Sequence, residues 1–413
     1  MASHLQLSFV TFKKDSYIVV EGKQNADRFF IIHQGKVIIS KEAEVLEEER
    51  GKILTPGDFF GVVSTMSSHS HIETARALTD VILISVMKEQ YGELIQKNTP
   101  VALKIILQFS KRLRYLDEAL SRITLKNTAE ADPSHLFMVG EYYLRQSHYN
   151  KAYYAFTKYL KNCPHGEKVA AARDRMAKIA IYVNSPKMEF GPEEFIRVYP
   201  KNSMVFAEGE PGNELFIIQK GSVTIAKIVD NNEVLLAVLK AGDIFGEMAL
   251  LEAKPRVASA VAYEDCQLMA INRANFEQMI RTQPQLIAKL TSLLADRIWF
   301  IYKQLANTLI NDPLGRMYDA LLIQLEKNRI PLTVDAPYTF DIGPRELINM
   351  IGIDPKEGNL LIRKMLENKK IVVSANNKIY TMTVIEIVKQ VEFHRKMQKI
   401  EDLRKEARSQ LAP

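Results

Sequence analysis

The sequence predicts an α+β multidomain chain with two β-roll (jelly-roll) barrels, an α-helical spacer between them and a helix-turn-helix at the end. Three observations predict it. Runs of β-branched and aromatic residues punctuated by Gly-centred turns occur twice; each copy then passes into an apolar stripe at helical spacing; and short helix patterns followed by a hairpin pattern close the chain.

The duplication can be read residue by residue. Val19-Val20-Glu21-Gly22, Phe29-Phe30-Ile31-Ile32 and Gly35-Lys36-Val37 match Phe206-Ala207-Glu208-Gly209, Leu215-Phe216-Ile217-Ile218 and Gly221-Ser222-Val223. Gly57-Asp58-Phe59-Phe60-Gly61 then matches Gly242-Asp243-Ile244-Phe245-Gly246. Many short strands close together make a roll or barrel, because closure removes exposed sheet edges. The first copy is assigned to residues 1–125 and the second to 190–310. The helical stripes are Leu103, Ile106, Leu107, Leu113, Leu116 and Leu120, then Leu286, Leu290, Leu294, Ile298, Ile301, Leu305 and Leu309. The second runs for about six turns, long enough for the seam of a homodimer as well as for packing within the chain.

Between the copies, Leu136, Val139, Gly140, Tyr143, Ala152, Phe156, Tyr159 and Pro164 fall at the spacing of a tetratricopeptide helix pair. Gly140 and Ala152 let two helices approach, and Pro164 ends the second. Residues 134–184 are read as this spacer, either a generic hairpin or a docking repeat for a protein partner.

Composition limits the function classes. The 413 residues are 47% hydrophobic and 25% charged, with a formal charge of +6. Fourteen Lys and Arg against ten Asp and Glu fall in residues 341–413, which suits a nucleic-acid partner without establishing one. Cys163 and Cys266 stand far apart, so neither a disulfide framework nor a metal site is expected. The absence of a long apolar run and of a signal pattern at Met1 to Lys14 predicts a cytoplasmic protein without a membrane span.

The chemistry concentrates at Phe245 to Ala262. A cyclic phosphate diester presents two anionic oxygens and a free ribose hydroxyl. It calls for a guanidinium fork, backbone donors and a hydroxyl acceptor. Arg256 supplies the fork and Glu247 the acceptor; Gly246 lets the backbone come close; Met248 and Ala249 begin a short helix; Val257, Ala258 and Ser259 add small residues and donors. A Glu and an Arg in one loop are otherwise a structural ion pair. The segment resembles the phosphate-binding cassette of the cyclic-nucleotide-binding domain family, the fold of catabolite-activator-type bacterial regulators and kinase regulatory subunits. That resemblance implies a cyclic nucleotide ligand and no metal. Cyclic AMP is the first choice, with cyclic GMP or a cyclic dinucleotide open.

In the first copy the same register puts Val62 at the Glu247 position, His71 at the Arg256 position and Glu73 at the Ala258 position. A carboxylate without the guanidinium repels a cyclic phosphate, so this copy is expected not to bind one. His69 and His71, two apart in a loop, are expected to be solvated.

From about Asp312 the sequence resembles the winged-helix effector of the catabolite-activator/FNR family. Residues 311–385 hold a helix at 313–327, a strand at Tyr338-Thr339-Phe340, helices from Gly343-Pro344 and Pro355, and a hairpin through Ile371 and Ile379. The resemblance implies double-stranded DNA as partner and Arg345, Lys356, Glu357, Asn359 and Arg363 as contacts. Leu361 replaces a familiar Arg, and Gly358 is read as a weak point in the reading face. Residues 386–413 are a charged helical tail. Carrying the family register along the long helix implies Ile301 and Tyr302 as possible base contacts; Trp299 lies one turn earlier, and packing is the other reading for such residues.

The whole predicts a cyclic-nucleotide-responsive transcriptional regulator acting as a homodimer. The alternative is a signalling adaptor whose winged helix serves protein partners. No nucleophile and base arrangement or phosphate-binding glycine loop points to an enzyme.

Overall fold

The computed structural model describes residues 8–24, 26–43, 45, 51–125, 132–184, 190–191, 194–229 and 232–410. Contacts divide the chain into two units, one of residues 1–91, 115–126 and 294–413, the other of residues 92–114 and 127–293.

The first unit opens with strands β1 (Ser8–Phe12), β2 (Tyr17–Val19), β3 (Arg28–Gln34), β4 (Val37–Ser40), β5 (Lys52–Leu54), β6 (Phe59–Phe60), β7 (Thr74–Ala77) and β8 (Val81–Met87). They form two antiparallel sheets, ordered β1-β8-β3-β6 and β2-β7-β4-β5. Strand alternation sends Phe30, Ile32, Val37, Ile39, Ala75, Ala77 and Leu83 into a common core. A short helix, α1 (Val62–Ser67), lies between β6 and β7; α2 (Tyr91–Lys97) and α3 (Thr99–Leu125) follow the barrel.

Helices α4 (His135–Arg145), α5 (Tyr149–Asn162) and α6 (Val169–Ile179) make the segment read as a spacer. A Cβ on Gly140 would lie 2.5 Å from the Phe156 ring, so glycine sets the approach of α4 to α5. The three helices share their core with Met204, Ala207 and Val261. The segment is therefore built onto the second barrel rather than standing free.

That barrel comprises β9 (Ile196–Tyr199), β10 (Met204–Phe206), β11 (Glu214–Lys220), β12 (Ser222–Val229), β13 (Asn232–Lys240), β14 (Ile244–Phe245), β15 (Ser259–Ala262) and β16 (Cys266–Asn272), with α7 (Glu247–Glu252) between β14 and β15. Its sheets run β9-β16-β11-β14 and β10-β15-β12-β13, the same order as in the first copy. Backbone angles repeat as well: Gly22 and Gly209 share φ 81°, and Ser68 and Ala253 share φ 54°. Helices α8 (Arg273–Thr282) and α9 (Pro284–Thr308) follow.

Most of the apolar stripe on α9 is buried within the single chain: Leu290, Leu294, Ile298, Ile301 and Leu305 are all under 10% exposed, whereas Leu309 is 48% exposed beyond the helix end. On α3, Ile106, Leu113 and Leu116 are fully buried. On α9, packing within the chain, the other reading of that stripe, covers most of it. Arg297 of α9 lies 3.8 Å from Asp117 of α3.

The last part of the first unit holds α10 (Pro313–Lys327), β17 (Tyr338–Thr339), α11 (Pro344–Ile351), α12 (Pro355–Leu366), β18 (Ile371–Val373), β19 (Ile379–Thr381) and α13 (Val384–Gln410). Asp312 caps α10 by accepting from the amides of Leu314 and Gly315. Gly352, at φ 65°, makes the turn between α11 and α12. The strands form one antiparallel sheet, β17-β19-β18. The start of the tail helix belongs to this core: Val384, Ile387 and Val391 pack with Met317, Leu321 and Leu325 of α10. Arg395 adds a 2.8 Å ion pair to Asp319. Among the described residues, no helix is long and apolar enough to cross a membrane.

Candidate functional site

The cassette of the second barrel is a turn, a six-residue helix and a return strand wrapped around one arginine. Phe245 ends β14, Gly246 takes φ 76°, and α7 begins at Glu247, which is 2% exposed. A Cβ on Gly246 would lie 2.7 Å from Arg256 Nη1, so close approach and left-handed backbone both demand glycine there.

Arg256 is 5% exposed. Its Nη1 donates to the carbonyl of Gly246 at 2.5 Å and its Nη2 to the carbonyl of Glu214 at 2.7 Å. The guanidinium lies 4.2 Å from the centre of the Phe206 ring, an arrangement that favours a cation. Burial pushes its pKa down, opposed by Glu210, Tyr154, Glu214 and Glu247; an arginine stays charged under such pressure. Its Nε is buried and has no hydrogen-bond partner among the described residues. A buried cation held by carbonyl dipoles, with one donor unmet, is a site whose electrostatics fit an added anion.

The loop facing this arginine was not singled out from the sequence. A Cβ on Gly212 would lie 2.4 Å from Arg256 Nε, and no glycine stands among residues 23–27 in the matching loop of the first copy. Glu210 ties the loop to the helical segment: it accepts from Tyr154 Oη at 2.9 Å and the Ala207 amide at 3.1 Å, and pairs with Lys158 at 2.6 Å. Burial beside Glu210 raises the Tyr154 phenol well above its usual range, so it remains a donor. The run Gly209-Glu210-Pro211-Gly212 was the available signal. Ser259 accepts the Glu208 amide at 2.9 Å, which makes it a clamp on this loop; Met248, Ala249 and Ala258 are buried around it and Val257 is half-buried.

The first copy keeps the frame and replaces the chemistry. Gly61 takes φ 78°, and Thr74 accepts the Glu21 amide at 3.0 Å, as Ser259 does for Glu208. The carboxylate of Glu73, however, accepts the Gly61 amide at 2.8 Å, and the Thr65 hydroxyl donates to the Arg28 carbonyl at 2.6 Å where Arg256 meets Glu214. The histidines expected in solvent are buried: His71 is 5% exposed, and His69 stacks on Trp299 with ring centres 4.1 Å apart and its Nε2 3.2 Å from Asp296.

Tyr302 also belongs to this first barrel. Its hydroxyl donates to the Ala43 carbonyl at 3.1 Å and lies 3.4 Å from Glu21, and Lys41 sits over its ring. These contacts are the packing that was the other reading for Tyr302, and the buried Ile301 falls in the same unit.

At the C-terminal end, Arg345, Lys356, Glu357, Asn359 and Arg363 are all exposed. A groove of about 490 Å³ is lined by Pro344, Arg345, Ile348, Asn349, Pro355, Asn359 and Asn377; it brings Arg345 and Asn359 together and adds Asn349 and Asn377. Gly358 does not weaken an exposed face. It is buried, and a Cβ there would lie 2.6 Å from Ile348, so it permits α12 to cross α11.

The family description Cyclic nucleotide-binding domain matches the chain twice, at residues 9–98 and 196–283. The cAMP-activated global transcriptional regulator CRP of Pasteurella multocida is 32% identical over 185 residues, 44% of this chain and 87% of that protein. The Cyclic AMP receptor protein of Thermus thermophilus is 31% identical over 172 residues, 41% of this chain and 76% of its own length. The CRP-like cAMP-activated global transcriptional regulator of Mycobacterium tuberculosis is 26% identical over 189 residues, 44% of this chain and 84% of that protein.

Proposed function

The chain belongs to the family of CRP-like transcriptional regulators built on the cyclic nucleotide-binding domain, and from that premise we propose that it is a cyclic-nucleotide-responsive transcriptional regulator whose ligand is held in the C-terminal barrel. The observation that carries the reading is the buried Arg256, with an unmet Nε donor, in the copy that keeps Glu247. Arg256 would hold the cyclic phosphate and Glu247 the ribose 2′-hydroxyl, with Gly246, Met248, Ala249, Val257, Ala258 and Ser259 shaping the cradle. Bound ligand supplies an acceptor for the Arg256 Nε donor. Cyclic AMP is the ligand of choice, because the relatives named above are cAMP-activated or cyclic AMP receptors.

Helices α11 and α12 with the strands β17 to β19 are read as the winged helix-turn-helix that binds double-stranded DNA. Supporting this are the exposed Arg345, Lys356, Asn359 and Arg363, which can meet phosphates and base edges. Regulation is then a population shift, which requires the ligand to bind one arrangement of the chain more tightly than another.

Calorimetry with cyclic AMP, cyclic GMP and a cyclic dinucleotide tests the first step, on the protein and on Arg256→Ala. Undiminished binding by the variant would sink it. A genomic-DNA pull-down with and without ligand tests the second; a sequence-selective, salt-sensitive signal is expected. Its absence in both states would move the reading to a signalling adaptor.

A further inference from the structure

We infer that the nucleotide site of the second barrel is completed by the helix that follows the first barrel, with Arg114 as its positioning residue, so that one chain builds the site without a second copy.

Residues 92–114, which include the first part of α3, group with the second barrel. The Arg114 Nε donates to Glu252 Oε2 at 2.9 Å, and Ser110 Oγ donates to Glu252 Oε1 at 2.8 Å, so α3 engages both oxygens of that carboxylate. Glu252 is the last residue of α7. Arg114 Nη1 also reaches the carbonyl of Pro255 at 3.4 Å, the residue before Arg256. The Arg114 and Glu252 side chains are 5% and 4% exposed. Removing one partner of such a pair strands a charge away from water, which is a larger loss than a surface pair incurs. The turn from Glu252 to Arg256 is therefore held from outside its own barrel, at the residues that set where the guanidinium lies.

An independent observation in the other unit repeats the arrangement in reverse. Trp299 of α9, which follows the second barrel, donates from Nε1 to the carbonyl of Ser70 in the first barrel at 3.2 Å. Trp299 and Arg114 are 185 positions apart, and so are Ser70 and Pro255. The same helix position meets the same loop carbonyl in both barrels, and each time the helix comes from the other copy. In the first barrel the contact is an indole packed on His69; in the second it is a guanidinium tied to a carboxylate. The second ties the helix to the end of α7 through a buried arginine and carboxylate pair.

The affinity arm of this inference rests on the nucleotide reading; the structural arm does not. The experiment uses the full chain with Arg114→Ala, Arg114→Lys, Glu252→Gln and Trp299→Ala, and reads amide exchange over residues 252–258 together with cyclic AMP affinity. Arg114→Ala and Glu252→Gln should each speed exchange across that turn and weaken cyclic AMP binding about tenfold, with Arg114→Lys intermediate. Trp299→Ala should speed exchange near residues 61–73 and leave the cyclic AMP affinity unchanged. Affinity should not vary with protein concentration, at one nucleotide per chain. Unchanged exchange over 252–258 in both Arg114→Ala and Glu252→Gln overturns the inference, as does an affinity that rises with protein concentration. If the unaltered protein binds no cyclic nucleotide while exchange over 252–258 still responds, the helix inference stands and the nucleotide reading fails. Should Arg114→Ala not fold, Glu252→Gln keeps the side-chain shape and carries the test.

Discussion

The two cassettes have one backbone and opposite electrostatics. In the second, a buried guanidinium is held by two carbonyls and has an unmet donor. In the first, the Glu73 carboxylate already accepts the Gly61 amide, and the Thr65 hydroxyl takes the Arg28 carbonyl. One copy sets a buried guanidinium against the glycine turn; the other sets a carboxylate there. The comparison teaches that a fold can be kept while the chemistry at one turn changes, because the glycine turns and core alternation that build the barrel involve different residues from the arginine and the carboxylate placed there.

The largest expected effect in this comparison is at Arg256. Arg256→Ala should weaken cyclic AMP binding by about a hundredfold or more, since it removes the one buried cation offered to the phosphate. Titration calorimetry reads it, and a loss below about tenfold would place the phosphate elsewhere. Next is Glu73→Ala, which leaves the Gly61 amide without its acceptor and should cost about 1–3 kcal/mol of stability in urea unfolding. The cyclic AMP affinity should not follow; if it falls as well, the first copy is a ligand site and the contrast between the copies is wrong.

Gly212→Ala should then weaken cyclic AMP binding about tenfold, because the new Cβ would lie 2.4 Å from Arg256 Nε and push the guanidinium aside. An unaltered affinity would mean the loop yields at no cost. The smallest effects are at the shared clamps. Ser259→Ala and Thr74→Ala each remove the hydroxyl that accepts a loop amide and should cost similar amounts, about 0.5–1.5 kcal/mol. Unequal losses in urea titrations would show that the common frame is less alike than its hydrogen bonds.

The duplication was legible because it rests on local rules. Gly57 and Gly242, at φ 87° and 91°, mark turns that few other residues make, and alternating apolar residues face a core whatever lies beyond it. The cassette from Gly246 to Ser259 could be proposed from the sequence because its members are neighbours in the chain. The C-terminal elements were read within a few residues of their observed ends, since Pro313, Pro344, Pro355 and Gly352 punctuate them.

Misreadings came where a residue's role depends on what packs against it. Gly358 looked like a flaw in an exposed face and is a contact for Ile348. His69 looked solvated and lies under Trp299. Tyr302 was open between a base contact and packing, and its hydroxyl meets the Ala43 carbonyl of the first barrel. By itself the sequence determined the duplicated strand pattern and the exchange of Glu247 and Arg256 for Val62 and His71, because spacing and residue identity suffice for these. Only the tertiary structure decided which helix braces which cassette. Arg114 and Glu252 are 138 positions apart, and a pairing over that distance is chosen by the packing of whole elements, which no local pattern records.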